Sequence, residues 1–229
     1  AELNGDAVQL IHDHAEVVFD EIDSGGWEWD EMSRLVYESY MRPFDLERGP
    51  VLRVALFTRS TRDHVFLLAA HHIAVDGWSA WLLLDELRTL YAAEVKHIPA
   101  YLAPVEKRYT DYVAWQSRML EGTEGARLWA YWQERLAGDL PSLNLPADRP
   151  RPAVRTSQGA THTFRLDPQL TLRVRDLIKS EGVTPFTLFL AVYQTLLHRY
   201  TGQEDILVGS PTAGRSRQEF AGIVGCFVN

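Results

Sequence analysis

His71-His72-Ile73-Ala74-Val75-Asp76-Gly77-Trp78-Ser79 stands between two apolar stretches of different kinds. Before it runs Val65-Phe66-Leu67-Leu68-Ala69-Ala70, a short continuous apolar segment of the buried-strand type. After it, Trp81-Leu82-Leu83-Leu84-Asp85-Glu86-Leu87 has the spacing of an amphipathic helix. The stretch is therefore a strand-to-helix turn, where side chains on a rigid scaffold can reach outward. Adjacent strand residues point to opposite faces, so His71 and His72 are expected to diverge, one toward a site and the other inward. Asp76-Gly77 is expected to form the turn, since glycine tolerates positive φ and lets backbone approach a ligand. Ser79 is expected to N-cap the helix.

Toward the N-terminus, Val51–Phe57 reads as a strand and Ser60–Asp63 as a turn. Together they predict an antiparallel hairpin that delivers the histidines. A helix is predicted over Asp30–Met41, with Met32, Leu35, Val36 and Tyr40 on its apolar side and a stop before Pro43. Ser24-Gly25-Gly26 is a turn. Val8–Ile11 and Ala15–Asp20 alternate as strands do. His12 and His14 share one face and have metal-ligand chemistry, but with no third ligand nearby the plain reading is exposed strand residues.

Toward the C-terminus, helices are predicted over Trp81–Glu94, from Tyr109 through Gln116, and over Gly125–Leu136, the last stopped by Gly138. Tyr112 and Trp115 are assigned to packing. Residues 140–158 form a boundary, because Pro141, Pro146, Pro150 and Pro152 forbid continuous helix and favour an extended connector. Gly159–Leu166 alternates as a strand, and Pro168–Ser180 reads as an amphipathic helix. Thr184 caps a further helix, with Pro185 at its first position, running to about Tyr200. That helix is apolar all round and is expected to be central, with His198 near its terminal carbonyls. Ile206–Gly209 and Ile223–Asn229 read as strands. The division is thus 1–139, a linker over 140–158, and 159–229.

Thirty-one acidic residues against 23 basic ones give a net charge of −8, which argues against nucleic-acid binding. Cys226 is the single cysteine, so an internal disulfide framework is excluded and a reducing cytoplasm fits. No apolar run approaches the roughly 18 residues of a membrane span. Ala1–Asp6 lacks the basic and apolar regions of a signal peptide. The abundant aromatics are read as core packing.

Several chemistries fail on their residues. No G-x-S-x-G elbow is present, and Gly209–Gly214 lacks the Gly-Lys of a phosphate loop. Cys226 has no neighbouring base in sequence and reads as a packing residue rather than a nucleophile. His71, His72 and Asp76 as a metal set conflict with the strand parity that separates the histidines, so no metal is expected.

The motif His71–Gly77 has the form HHxxxDG and resembles the signature of the condensation domains of nonribosomal peptide synthetases, within the group that includes chloramphenicol acetyltransferase. Phe44–Arg53 resembles the preceding FDLxxGPLLR element, Tyr109–Gln116 the YxDYAxWQ motif, and Leu140–Pro152 the LPxLxLPxDRPRP crossover. Asp205–Arg215 and Ile223–Asn229 resemble DxxVGxPxAGR and IGxFVN. The resemblance implies an α/β, chloramphenicol acetyltransferase-like pseudo-dimer of two halves, each a sheet plus helices, with the site in a tunnel between them. Here the fold is expected to be partial, starting after the family's N-terminal motif and stopping within the second half. Uncovered sheet edges would then favour self-association.

The implied activity is amide formation between a carrier-bound donor acyl or aminoacyl thioester and the amine of a carrier-bound acceptor aminoacyl thioester. No intrinsic cofactor is implied; substrates ride on the 4'-phosphopantetheine of peptidyl or acyl carrier proteins, which with neighbouring synthetase domains are the expected partners. His72 is assigned as base or orienting group for the amine. Gly77 is assigned to bring a backbone N–H to the oxyanion. Asp76 is expected to be structural and salt-bridged to Arg215, and His71 to be structural, while Trp78 and Ser79 are assigned to substrate binding. Epimerizing relatives carry Ser-Trp-Arg shortly after the motif and heterocyclizing ones replace the histidines; this chain does neither. Initiating N-acylating or ester-forming variants, and a non-catalytic platform that recruits carriers or partner enzymes, stay open.

Overall fold

The computed structural model describes residues 2, 3, 5–12, 16–149, 152–154 and 159–229, with the backbone alone at 2, 3, 6 and 7. The chain divides into two compact units, Ala1–Gly125 with Pro211–Asn229, and Ala126–Ser210.

In the first unit, β1 (Glu2–Leu3) and β2 (Asp6–Ala7) form a short antiparallel pair. A three-stranded sheet follows from β3 (Val18–Asp23), β4 (Leu52–Ser60) and β5 (Asp63–Ala70), in the order β3-β4-β5. β3 runs parallel to β4, joined through α1 (Trp29–Met41), as a parallel pair requires a crossover. β4 and β5 form the predicted antiparallel hairpin, with Leu56 opposite Phe66 and Leu52 opposite Ala70. Of the two alternating stretches ahead of Ser24, only the second becomes a strand. Val8–Ile11 has no regular structure, and Leu10 and Ile11 are exposed, so their alternation finds no sheet to face. His14 lies outside the described residues.

On β4, Arg53, Ala55 and Phe57 are buried at every second position. Ala55 and Phe57 meet Met32, Leu35 and Val36 from the apolar stripe of α1, with Val65 and Leu67 from β5. Arg53 shares that inner face because it has partners there. Its guanidinium donates to the carbonyls of Ser39, Arg42 and Pro43 and lies 3.8 Å from the centroid of Phe44. These are carbonyls that the end of α1 leaves unpaired, so a basic side chain closes the helix from across the strand.

After the hairpin come α2 (Gly77–Val95), α3 (Tyr109–Glu121) and the first turn of α4 (Thr123–Arg135). A second core holds Tyr112, Phe220, Ile223 and Phe227, with Tyr109 and Trp115 against it. Phe220 belongs to a short 3-10 turn at Gln218–Phe220. Residues 223–229 form no regular strand, but Thr212 and Asn229 exchange two backbone hydrogen bonds of 2.8 and 3.2 Å. Pro211–Asn229 therefore packs with the first unit, across the 1–139 and 159–229 division drawn from the proline-rich segment. Of that segment, 150, 151 and 155–158 lie outside the described residues.

The second unit carries the rest of α4, then α5 (Pro168–Glu181) and α6 (Pro185–Thr201). Asp167 caps α5 by accepting from Leu170 N–H, and Thr184 caps α6 by accepting from Thr187 N–H. Gln203 binds the connector twice, accepting from Asn144 N–H and donating to Ser142 O, each at 3.0 Å. His198 Nδ1 lies 2.8 Å from Gln203 O just past the end of α6. Gly159–Leu166 and Ile206–Gly209 are irregular rather than strands, with no ladder partner among the described residues. Nor is α6 buried all round. Leu197 alone is buried along it, while Phe186 is 60% and Tyr200 63% exposed.

Candidate active site

β5 ends at Ala70, and the chain leaves the sheet through one more ladder-type bond, His71 N–H to Val51 O at 2.9 Å. Residues 72–74 then turn, so the two histidines are parted by this turn rather than by strand parity. His71 faces back. Its Nδ1 accepts from Ile73 N–H at 3.1 Å, and its ring meets Phe44 edge-on with centroids 6.0 Å apart. His72 is exposed and turns the other way, its Nδ1 3.8 Å from Cys226 Sγ.

Two details of the turn differ from expectation. Asp76, not Ser79, is the N-cap of α2: its side chain accepts from Ser79 N–H at 2.7 Å, and its carbonyl accepts from Ala80 N–H. An aspartate can do this and also supply the counter-charge to a cation, which a neutral serine cannot. Gly77 is the first helical residue and does not adopt positive φ. Nothing lies within 4 Å of where a Cβ would stand, so Gly77 contributes open space above the helix end. The N–H groups of Gly77 and Trp78, at the first two helical positions, have no partner within the helix.

The turn is held by Pro211–Asn229. Arg215 Nη2 lies 3.2 Å from Asp76 Oδ1, with side chains 3% and 1% exposed, and donates to Ser79 Oγ at 2.7 Å. Its Nη1 donates to the carbonyls of Phe220 and Ile223 at 2.9 and 2.8 Å, and the guanidinium lies 3.8 Å from the centroid of Phe227. Asp76 Oδ2 accepts from Phe227 N–H at 3.0 Å, and Asp76 N–H donates to Gly225 O. The Ser79 hydroxyl donates to Gly225 O at 2.8 Å and accepts from Gly225 N–H at 3.0 Å. Fully buried and so engaged, Ser79 offers no substrate a free group; it is a clasp, which corrects its assignment to substrate binding. Trp78 stays half exposed, its indole N–H on Ala221 O at 3.0 Å.

Burial alone would push the Asp76 carboxyl up, but the Ser79 N–H and hydroxyl, the Phe227 N–H and the Arg215 guanidinium together hold it below the ordinary carboxylate value. A carboxylate with a depressed folded pKa adds stability above its unfolded value, about 3.9, and that stability is lost as pH falls through the folded one. Acid unfolding of this unit is therefore expected to steepen below about pH 4, and Asp76→Asn should lose that part of the pH dependence in an acid titration followed by fluorescence. Tyr109 is shifted the other way, raised first by burial and then by the nearby Cys226, Tyr112 and Asp76. Its neutral hydroxyl donates to Cys226 O at 2.6 Å.

Close approach decides Gly214. At φ +65, a Cβ there would stand 1.8 Å from Phe227 O. Gly214→Ala thus meets both left-handed strain, about 1–2 kcal/mol, and a backbone clash beside Arg215. A lowered melting temperature together with reduced activity is the expected result.

Sequence reading missed Gly225, Phe227, Tyr109 and the role of Ser79. Gly225 and Phe227 lie in Ile223–Asn229, but nothing local says that this segment packs onto Asp76, the cap of a helix begun at Gly77. Among the described residues, no group of three or more His, Cys, Asp or Glu could hold a metal, and no helix is long and apolar enough to cross a membrane.

A family profile described as "Condensation domain" matches residues 1–229. The chain is 42% identical over 196 residues to the phosphinothricin tripeptide synthetase PhsC of Streptomyces viridochromogenes, covering 86% of this chain and 18% of that protein. It is 38% identical over 227 residues to gramicidin S synthase 2 of Brevibacillus brevis, covering 99% of this chain and 5% of that protein. Among solved structures it resembles the complex of the X-domain and OxyB from teicoplanin biosynthesis, with a TM-score of 0.78, 26% identity, and 96% of this chain against 49% of that one. It also resembles the first condensation domain of the calcium-dependent antibiotic synthetase in complex with a substrate analogue, with a TM-score of 0.72, 26% identity, and 93% against 48%. The chain spans about half of each of these solved chains and a small part of each synthetase.

Proposed function

The chain belongs to the condensation-domain family, with part of its chloramphenicol acetyltransferase-like α/β fold, and from that premise we propose that its parent protein forms an amide between two carrier-bound thioesters. The observation that carries this reading is one arrangement. An exposed imidazole, His72, and two helix-end N–H groups, at Gly77 and Trp78, share a turn that a buried ion pair holds fixed.

The acceptor amine attacks the donor thioester carbonyl, and a C–N bond forms as the C–S bond breaks. The donor arm leaves as a thiol and the product amide stays on the acceptor arm. His72 takes or orients the amine proton. The backbone N–H of Gly77 stands where a helix N-terminus favours negative charge, as on the tetrahedral oxyanion. His71, turned toward Phe44, and Asp76, on Arg215, hold the turn in shape. Trp78, half exposed, would line the substrate path. Carrier proteins delivering phosphopantetheine arms, with adjoining synthetase domains, are the partners this chemistry requires.

A second reading, a platform that binds a partner enzyme without turnover, is favoured by the likeness to an X-domain solved in complex with OxyB. Carrier docking alone gives no reason for the Gly77 opening beside an exposed His72. Intact-protein mass spectrometry separates the two. When the parent protein is mixed with a loaded donor carrier and a loaded acceptor carrier, the acceptor should gain the mass of the donor acyl group. No gain, with both carriers seen to bind, would leave the platform reading in place.

A further inference from the structure

Cys226 is the residue of Pro211–Asn229 that reaches the histidine. Its two neighbours are both fixed to the motif: Gly225 through Ser79 and the Asp76 N–H, and Phe227 through Asp76 Oδ2. Its own carbonyl is fixed by the Tyr109 hydroxyl at 2.6 Å. Gly225 is also closely covered on one side, since a Cβ there would stand 2.3 Å from the Tyr109 ring. The backbone at Cys226 is thus held on three sides, and its half-buried thiol projects to 3.8 Å from His72 Nδ1. That distance is a sulfur hydrogen bond, and it falls on one defined ring nitrogen.

Which nitrogen is engaged matters chemically. A neutral imidazole carries one N–H and one bare nitrogen, and the partner of the first sets the availability of the second. Resting on the amide-forming reading above, we propose that Cys226 is a positioning residue. Its sulfur accepts the Nδ1–H of His72, which holds the ring in place and leaves Nε2 bare for the amine. Sulfur is a weak acceptor, and the contact orients the ring without taking its proton. The opposite tautomer would point an N–H at the amine lone pair and oppose attack. No bond changes in this role. The amine proton goes to Nε2, and Nδ1 keeps its own.

Packing and hydrogen bonding make opposite predictions for two substitutions. Valine fills the space of the thiol and cannot accept; serine can accept and is smaller. In the parent protein with both loaded carriers, Cys226→Val is expected to lower kcat about tenfold with KM for either carrier within about twofold, the loss of one modest positioning hydrogen bond. Cys226→Ser should recover most of that loss. If Val keeps wild-type kcat while Ser does not, Cys226 is a packing residue and the proposal is overturned.

A second measurement does not depend on turnover. The melting temperatures of His72→Ala, Cys226→Ala and the double variant form a cycle. The contact predicts that the double variant melts no lower than the less stable single one, whereas fully additive losses remove it. Should His72→Ala condense as fast as wild type, the catalytic reading fails, and the cycle still decides whether sulfur and imidazole are coupled.

Discussion

Arg215→Ala is expected to destabilise the first unit by about 3–5 kcal/mol, the loss seen when one partner of a buried ion pair is removed. The cost does not come from the attraction alone. The Asp76 carboxylate is almost fully buried, and its depressed pKa shows that its surroundings are built for the charged form. Without the guanidinium it keeps the N–H groups of Ser79 and Phe227 but loses its counter-charge. In the same step the Ile223 carbonyl loses the guanidinium donor, while the Phe220 carbonyl keeps only the Ile223 N–H and the Ser79 hydroxyl accepts only from the Gly225 N–H. Arg215→Lys should rescue only part, because a single ammonium cannot reach two carbonyls, a carboxylate and a hydroxyl from one plane. Urea unfolding of the parent protein followed by tryptophan fluorescence reads both variants. A loss below about 1 kcal/mol for Arg215→Ala would place the pair among surface ion pairs and remove it as the support of the turn.

What could be read from the sequence, and what could not, follows the range of the forces involved. The hairpin of β4 and β5 and helices α1 to α6 declare themselves in apolar spacing, caps and prolines, all set within a few residues of one another. Irregular stretches that alternate are another matter. Val8–Ile11, Gly159–Leu166 and Ile206–Gly209 carry a strand pattern, but a strand needs a neighbour, and period two cannot say whether one is present. Likewise α6 has the composition of a central helix, and composition does not say what covers it. At the site, His72, Asp76 and Gly77 stand in one motif, and Arg215 in another far along the chain. The pairing of Asp76 with Arg215 is expected from the sequence, but no local spacing relates the two motifs, so its geometry is a tertiary fact. Ser79 reads two ways, as cap and as substrate contact, because serine suits both. The buried hydroxyl on Gly225 and Arg215 serves neither.

His72→Ala should lower the condensation rate of the parent protein about 10²–10⁴-fold near neutral pH, the span of a positioned acid–base group, while costing no more stability than its one contact with Cys226. The stability forecast follows from exposure. His72 faces outward, and the turn is held by Asp76, Ser79 and Arg215 rather than by the ring. The pH dependence of the rate effect separates two tasks that one imidazole can perform. If His72 removes the amine proton, the deficit should shrink as pH rises through about 8, the usual range of an α-amino group, because solvent then delivers a neutral amine to either protein. If His72 chiefly orients a neutral amine, the deficit should stay constant across that range, since geometry and not proton affinity has been lost. The Gly77 and Trp78 N–H groups remain in the variant, so a residual rate above the carrier-only control is expected in both cases. Single-turnover rates from about pH 6.5 to 9, bracketing that value, read the difference. A variant as fast as wild type at every pH would take His72 out of the chemistry and leave the helix end as the feature that acts on the thioester.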